Sequence, residues 1–140
     1  MLVTKKPNID KYKNAIKKMS DRATLVPAIN ETIVEIRKRT QSGKDVNGNS
    51  FKPYAESTKD YRSKHGRSTN VNLTYSGAML GSITVKSIQG GIRLYFGSMI
   101  ENTKAYHNQI SLKRKFFGLS QAQRDKLVKF LKSYYKKATV

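Results

Sequence analysis

Two histidines, His65 and His107, nine carboxylates and no cysteine are the stock from which this 140-residue chain would have to build an active site. Acid–base chemistry needs a partner held within hydrogen-bond reach of the imidazole. His107 has only Glu101 six residues back, which is no motif. No Gly-x-Ser-x-Gly nucleophile turn occurs. Neither Gly90-Gly91 nor Gly43 with Gly48 leads into the Gly-Lys-Ser/Thr of a phosphate loop. The acids nowhere take the paired spacing of a metal-dependent nuclease. Asp45, Asn47, Asn49 and Glu56 stand at the first, third, fifth and twelfth places of a calcium loop, but the sixth place, which requires glycine, is Ser50, and Pro53 stiffens the middle. A polar turn is the better account of them. Without cysteine there are no disulfides, no zinc–thiolate sites and no thiol catalysis. The expectation is a protein that is not an enzyme and that carries no metal and no cofactor, with His107 as a hydrogen-bonded structural residue.

Surfaces remain. Lys59, Arg62, Lys64, His65 and Arg67 interleave with Tyr54 and Tyr61, and Lys113, Arg114, Lys115, Phe116 and Phe117 form a second basic–aromatic run. Such runs grip phosphates and stack bases, or dock on an acidic protein ring with arginines and aromatics as anchors. The plainer readings are a solvated loop for 59–67 and core packing for the phenylalanines, with one of Phe116 and Phe117 pointing inward.

Charge sharpens the choice of partner. Lys and Arg number 28 against 9 Asp and Glu, a net of +19. That balance attracts polyanions: nucleic acid, an anionic membrane surface or an acidic protein. It equally keeps a self-assembling protein soluble until its partner arrives. No run approaches the ~18 apolar residues of a membrane span. Met1-Leu-Val-Thr-Lys-Lys-Pro7 has no apolar core behind its lysines, so no signal peptide is expected. A soluble, intracellular protein follows, forming one domain over residues 1–140.

The elements that must present these surfaces are read from periodicity. Ile9, Tyr12, Ile16 and Met19, then Ile29, Ile33 and Ile36, recur at helical steps over 8–41. Pro27 predicts two helices, or one kinked helix, turning near 24–27. Residues 42–72 read as a long polar loop, functional, mobile or ordered on assembly, anchored by Phe51, Tyr54 and Tyr61, with room for a short helix over 54–61. Ile83 and Val85, then Ile92, Leu94 and Phe96, alternate with polar residues around Gln89-Gly90-Gly91, a hairpin over about 81–97. Two strands alone are marginal, so 113–117 is the candidate third strand. Ser120 with Gln123 forms a capping box opening a helix to about 137, whose stripe is Leu127, Phe130, Leu131, Tyr134 and Tyr135. Its lysines lie largely off that stripe. The fold class is α+β: N-terminal helices, a small antiparallel sheet built on the hairpin, and a C-terminal amphipathic helix.

Three blocks stand in order along the chain. Arg37-Lys-Arg-Thr precedes Gly43-Lys-Asp-Val-Asn-Gly-Asn-Ser-Phe-Lys-Pro-Tyr54. Asn72-Leu-Thr-Tyr-Ser-Gly-Ala-Met-Leu-Gly-Ser-Ile83 follows. Ala105-Tyr-His-Asn-Gln then leads to Arg114-Lys-Phe-Phe-Gly-Leu-Ser120 and the closing helix. In order and spacing, over 37–120, these resemble the phage virion morphogenesis family, the tail-completion or head–tail joining proteins of tailed bacteriophages. The chain departs from that pattern at Asn108-Gln109-Ile110, where the family usually has a glycine, and at Lys113 and Lys115, where it favours a proline.

The resemblance implies a structural virion protein, made in the host bacterial cytoplasm and added at the neck or tail. Its partners would be a head–tail connector, tail terminator or tail tube protein, and other copies of itself in a ring, with incidental nonspecific DNA contact and no membrane. It implies structural roles for Phe51, Pro53, Tyr54, Leu73, Gly77, Met79, His107, Phe117 and Gly118. Docking would fall to Lys59, Arg62, Lys64, Arg67, Lys113, Arg114, Lys115 and Phe116, in loops that order on assembly. The reading from a different class is a small basic nucleic-acid-binding protein.

Overall fold

The computed structural model describes residues 8–19 and 21–139. The side chains of Met19, Arg22 and Ala138 lie outside the described residues, as does the segment read above for a signal peptide. Helices α1 (Ile9–Met19) and α2 (Arg22–Gln41) part at Asp21, upstream of the expected turn. The Asp21 carbonyl accepts from the Thr24 and Leu25 amides at 3.2 and 3.1 Å, which starts α2 there. Pro27 sits inside α2, exposed, at the cost of the one backbone bond its missing N–H would make.

The α2 stripe is as expected: Ile33 and Ile36 are buried and Ile29 packs against them. The α1 stripe is not. Ile9, Tyr12 and Ile16 are exposed, and the buried residue is Ala15. Helix α1 packs on α6 (Gln121–Thr139), and Tyr12 stacks on Tyr135 with centroids 6.2 Å apart.

Residues 42–72 are more built than a polar loop. Lys44 and Ser50 pair in an isolated bridge around Asp45, whose carboxylate accepts from the amides of Asn47 and Asn49. The calcium-loop acid is a turn former. Helix α3 (Glu56–Lys64) follows, a little later than the span expected. Phe51 is buried and Tyr54 half-buried, but Tyr61 is exposed and anchors nothing in the core; Val71 and Leu73 dip into it instead.

A short helix α4 (Ala78–Gly81) feeds strand β1 (Ile83–Ile88), which pairs antiparallel with β2 (Gly91–Phe96). Ile83 faces Phe96 and Val85 faces Leu94, so the alternation puts these apolar residues on one side. Gly90, at φ +78°, closes the turn with Gln89, a conformation a Cβ would strain.

The expected third strand is absent: among the described residues the sheet has two strands. Lys113 takes φ +53°, turning the chain, and the Phe116 amide folds back on the Arg114 carbonyl at 2.8 Å. Backbone groups of 114 and 115 bond instead to Asn108 and Val46. No extended ladder survives that geometry.

Helix α5 (Met99–Tyr106), continued by a π-helical turn (His107–Ser111), was missed by the sequence reading. Its signal was there: Ser98 precedes Glu101 by three, a capping-box pattern, and the Ser98 hydroxyl accepts from the Glu101 amide. The box opening α6 forms in both directions. The Gln123 amide donates to Ser120 Oγ at 3.2 Å and the Ser120 amide to Gln123 Oε1 at 2.8 Å. On α6, Leu127, Leu131, Tyr134 and Tyr135 are half-buried, while Phe130 stays exposed. The core lies between α2, the hairpin and the 116–119 segment, with Ile36, Leu80 and Phe116 fully buried.

Candidate docking surface

Arginine on a chain this basic reads as surface, yet four arginines here are structural. Arg37 donates to the carbonyls of Leu80, Gly81 and Ile83 at 2.8, 3.3 and 3.2 Å, tying α2 to the entry of β1. Arg39 donates to the carbonyls of Phe116 and Gly118 at 2.7 and 3.0 Å and to Gln123 Oε1 at 2.9 Å, tying α2 to the 116–118 segment and the start of α6. Five donors in a rigid fork suit guanidinium to such multiple carbonyl capture. Burial pushes the Arg39 guanidinium below its ordinary value, with Asp45 and Glu35 opposing. The three blocks set out in the sequence therefore meet through the two arginines of the first.

Arg62 and Arg114, expected as docking residues, are 5% and 7% exposed. Arg62 donates to the carbonyls of Ser68 and Thr74 and to Asn72 Oδ1, closing the segment after α3. Arg114 donates to Asn108 Oδ1, and desolvation lowers its pKa. Both guanidinium carbons stand near the Tyr54 ring, at 4.8 and 5.0 Å from its centroid, so this tyrosine joins the two basic segments. Phe116, also expected to dock, is fully buried, and Phe117 packs at 4.8 Å on Phe96. The expectation that one phenylalanine points inward is exceeded.

Lys64, Arg67, Lys113 and Lys115 remain exposed, and Lys59, half-buried, pairs with Glu56 at 2.9 Å. Arg67 lies 4.9 Å from the Tyr75 ring, which stacks with Tyr61, and His65 tilts over Tyr61 at 4.1 Å. A hydrogen bond with Tyr75 raises the Tyr61 phenol above its ordinary pKa. This is a cation–aromatic ladder at the surface. Beside it a cavity of about 220 Å³ is lined by Tyr54, Arg62, Tyr75, Met79, Glu101 and Lys104, among others. Its buried carboxylate, Glu101, pairs with Lys104 at 2.9 Å, and no second carboxylate lines the cavity among the described residues.

His107, expected to be a hydrogen-bonded structural residue, is exposed, and its ring makes no hydrogen bond among the described residues. Of the other residues assigned structural roles, Leu73 and Met79 are buried, Gly77 takes φ +84° at the start of α4, and Gly118 abuts Val46. Pro53 is exposed. No group of histidines and acids that could hold a metal occurs among the described residues, and no helix there is long and apolar enough to cross a membrane.

No protein-family model, curated protein or solved structure matches this chain.

Proposed function

We propose that this chain is a structural protein of a tailed bacteriophage that completes the tail or joins it to the DNA-filled head at the neck. The observation that carries the reading is the set of three ordered blocks over 37–120, whose first block supplies Arg37 and Arg39 to hold the other two.

In this reading Lys64, Arg67, Lys113 and Lys115 meet an acidic face of a connector, tail terminator or tail tube protein. Arg62, Arg114 and Phe116 act one step back, fixing the segments that carry those cations. Ordering of loops on assembly is then confined to the exposed side chains and their turns. Deleting 59–67 would remove Arg62 from the core, so a clean test reverses charge at exposed positions only.

Gold labelling of an epitope-tagged copy on purified particles tests the role. Label at the head–tail junction or tail end supports it. Particles free of the protein overturn it.

One observation favours a nucleic-acid reading as well. Lys129, Lys132 and Lys136 are exposed at three- and four-residue steps on α6, one basic row turned away from the half-buried stripe. A polyphosphate backbone is the ligand such a row suits, and the salt dependence described below separates the two readings.

A further inference from the structure

Residues 94–112 hold one acid and one base, Glu101 and Lys104, and these pair with each other. The whole net charge of +19 therefore sits elsewhere, and this stretch is the neutral face of a strongly basic protein. It is also apolar at its surface. Met99 is 86% exposed, Ile100 68%, Tyr106 63% and Ile110 55%. Met99, Thr103, Tyr106 and Ile110 follow at helical steps on α5 and its π-helical turn, the row by which one helix packs on another. Along that row runs a groove of about 270 Å³ walled by Leu94, Phe96, Ala105, Tyr106, Ile110 and Phe117.

We infer that this face is where a second copy of the chain docks, Met99 of each copy entering the groove of the other. Three features select that occupant. Knob and groove lie on one face about two helical turns apart, so two copies related by a two-fold axis satisfy each other. The face is uncharged, so it discriminates in favour of neither an acidic nor a basic partner, and it is where two basic copies approach with the least local repulsion. The exposed apolar residues present on the order of 600 Å², at the top of what monomers leave bare. That is about three quarters of the ~800 Å² per partner of a stable interface. The inference goes beyond the assembly reading, since a two-fold contact closes at a dimer and is separate from the contacts of a ring, and its test needs no phage.

Association driven by an apolar face and opposed by two +19 charges strengthens as salt screens the repulsion. Sedimentation equilibrium of the full chain, freed of nucleic acid, reads this directly at 0.1 and ~0.5 M sodium chloride. Dimer affinity is expected to rise several-fold with salt. Met99→Arg and Ile110→Arg, made separately at exposed positions that leave the core intact, are each expected to weaken it at least ~10-fold. Lys129→Gln, away from the face, should leave it unchanged or tighter. A monomer at every salt concentration overturns the inference. So does association that weakens with salt, the mark of an acidic or polyphosphate partner, or association that survives both arginine variants. Gold label missing from particles would overturn the neck role and leave this result standing.

Discussion

Replacing Arg39 by methionine tests whether the clamp holds the fold together. Methionine keeps much of the aliphatic stem and removes three hydrogen bonds, to Phe116 O, Gly118 O and Gln123 Oε1. A bond from a charged donor contributes about 1.5–3 kcal/mol, and Arg39 is half-exposed, so water recovers part of each loss. The expected destabilisation is therefore about 3 kcal/mol, a large share of the roughly 5–15 kcal/mol available to a domain. Urea unfolding followed by circular dichroism reads it as a midpoint shift of about 1–2 M at unchanged slope. Arg39→Lys keeps the charge but loses the fork, and should fall about midway. Lys64→Met, at an exposed site, should stay within ~0.5 kcal/mol. A loss below about 1 kcal/mol for Arg39→Met would refute the reasoning, since the carbonyls would then be satisfied by solvent.

Phe116→Ala empties a fully buried site between α2 and the hairpin and should cost about 3–5 kcal/mol in the same assay; a cost under ~1 kcal/mol would place the ring outside the core. Thr40 is buried with a hydroxyl that finds no partner among the described residues, so Thr40→Val should be neutral or stabilising by about 1 kcal/mol, and a clear loss of stability would show the hydroxyl is bonded. Glu35 accepts from Lys126 at 2.9 Å, and that bond chiefly holds its carboxyl below 4.5. A depressed folded pKa contributes stability above the unfolded value and loses it as pH falls through the folded one. Glu35→Gln should thus flatten the stability profile below about pH 4.5, by only a few tenths of a kcal/mol because the pair is exposed; an unchanged acid limb argues against the bond. If the α6 row meets DNA phosphates, the triple change Lys129→Gln, Lys132→Gln and Lys136→Gln should reduce the logarithmic salt slope of duplex binding by about 2.7; an unchanged slope removes that row from the contact.

The hairpin, the α2 stripe and the capping box at Ser120 were legible because each is written in residues a few positions apart. The arginines were not. Basic residues among aromatics look like surface, and what buries Arg39 is a set of carbonyls 77 and 79 residues away, which no local pattern encodes. Phe116 misled for the same reason: its lysine neighbours are exposed, but a chain turned by Lys113 can bury one side chain between exposed ones. The third strand failed because it was inferred from the hairpin's need for a partner, which says nothing of a positive φ at Lys113. On α1, Ile9, Tyr12 and Ile16 look like a core stripe, yet the buried residue is Ala15, which a hydrophobic period does not pick out. Helix α5 carried its signal in Ser98 and Glu101, hidden by the apolar run of the strand before it.

The most direct test of the phage role is electron microscopy of lysates from the parent element with this gene deleted. The account predicts DNA-filled heads beside separate, finished tails, and rescue by the chain supplied from a plasmid. Normal, infectious particles in the deletion lysate would contradict it.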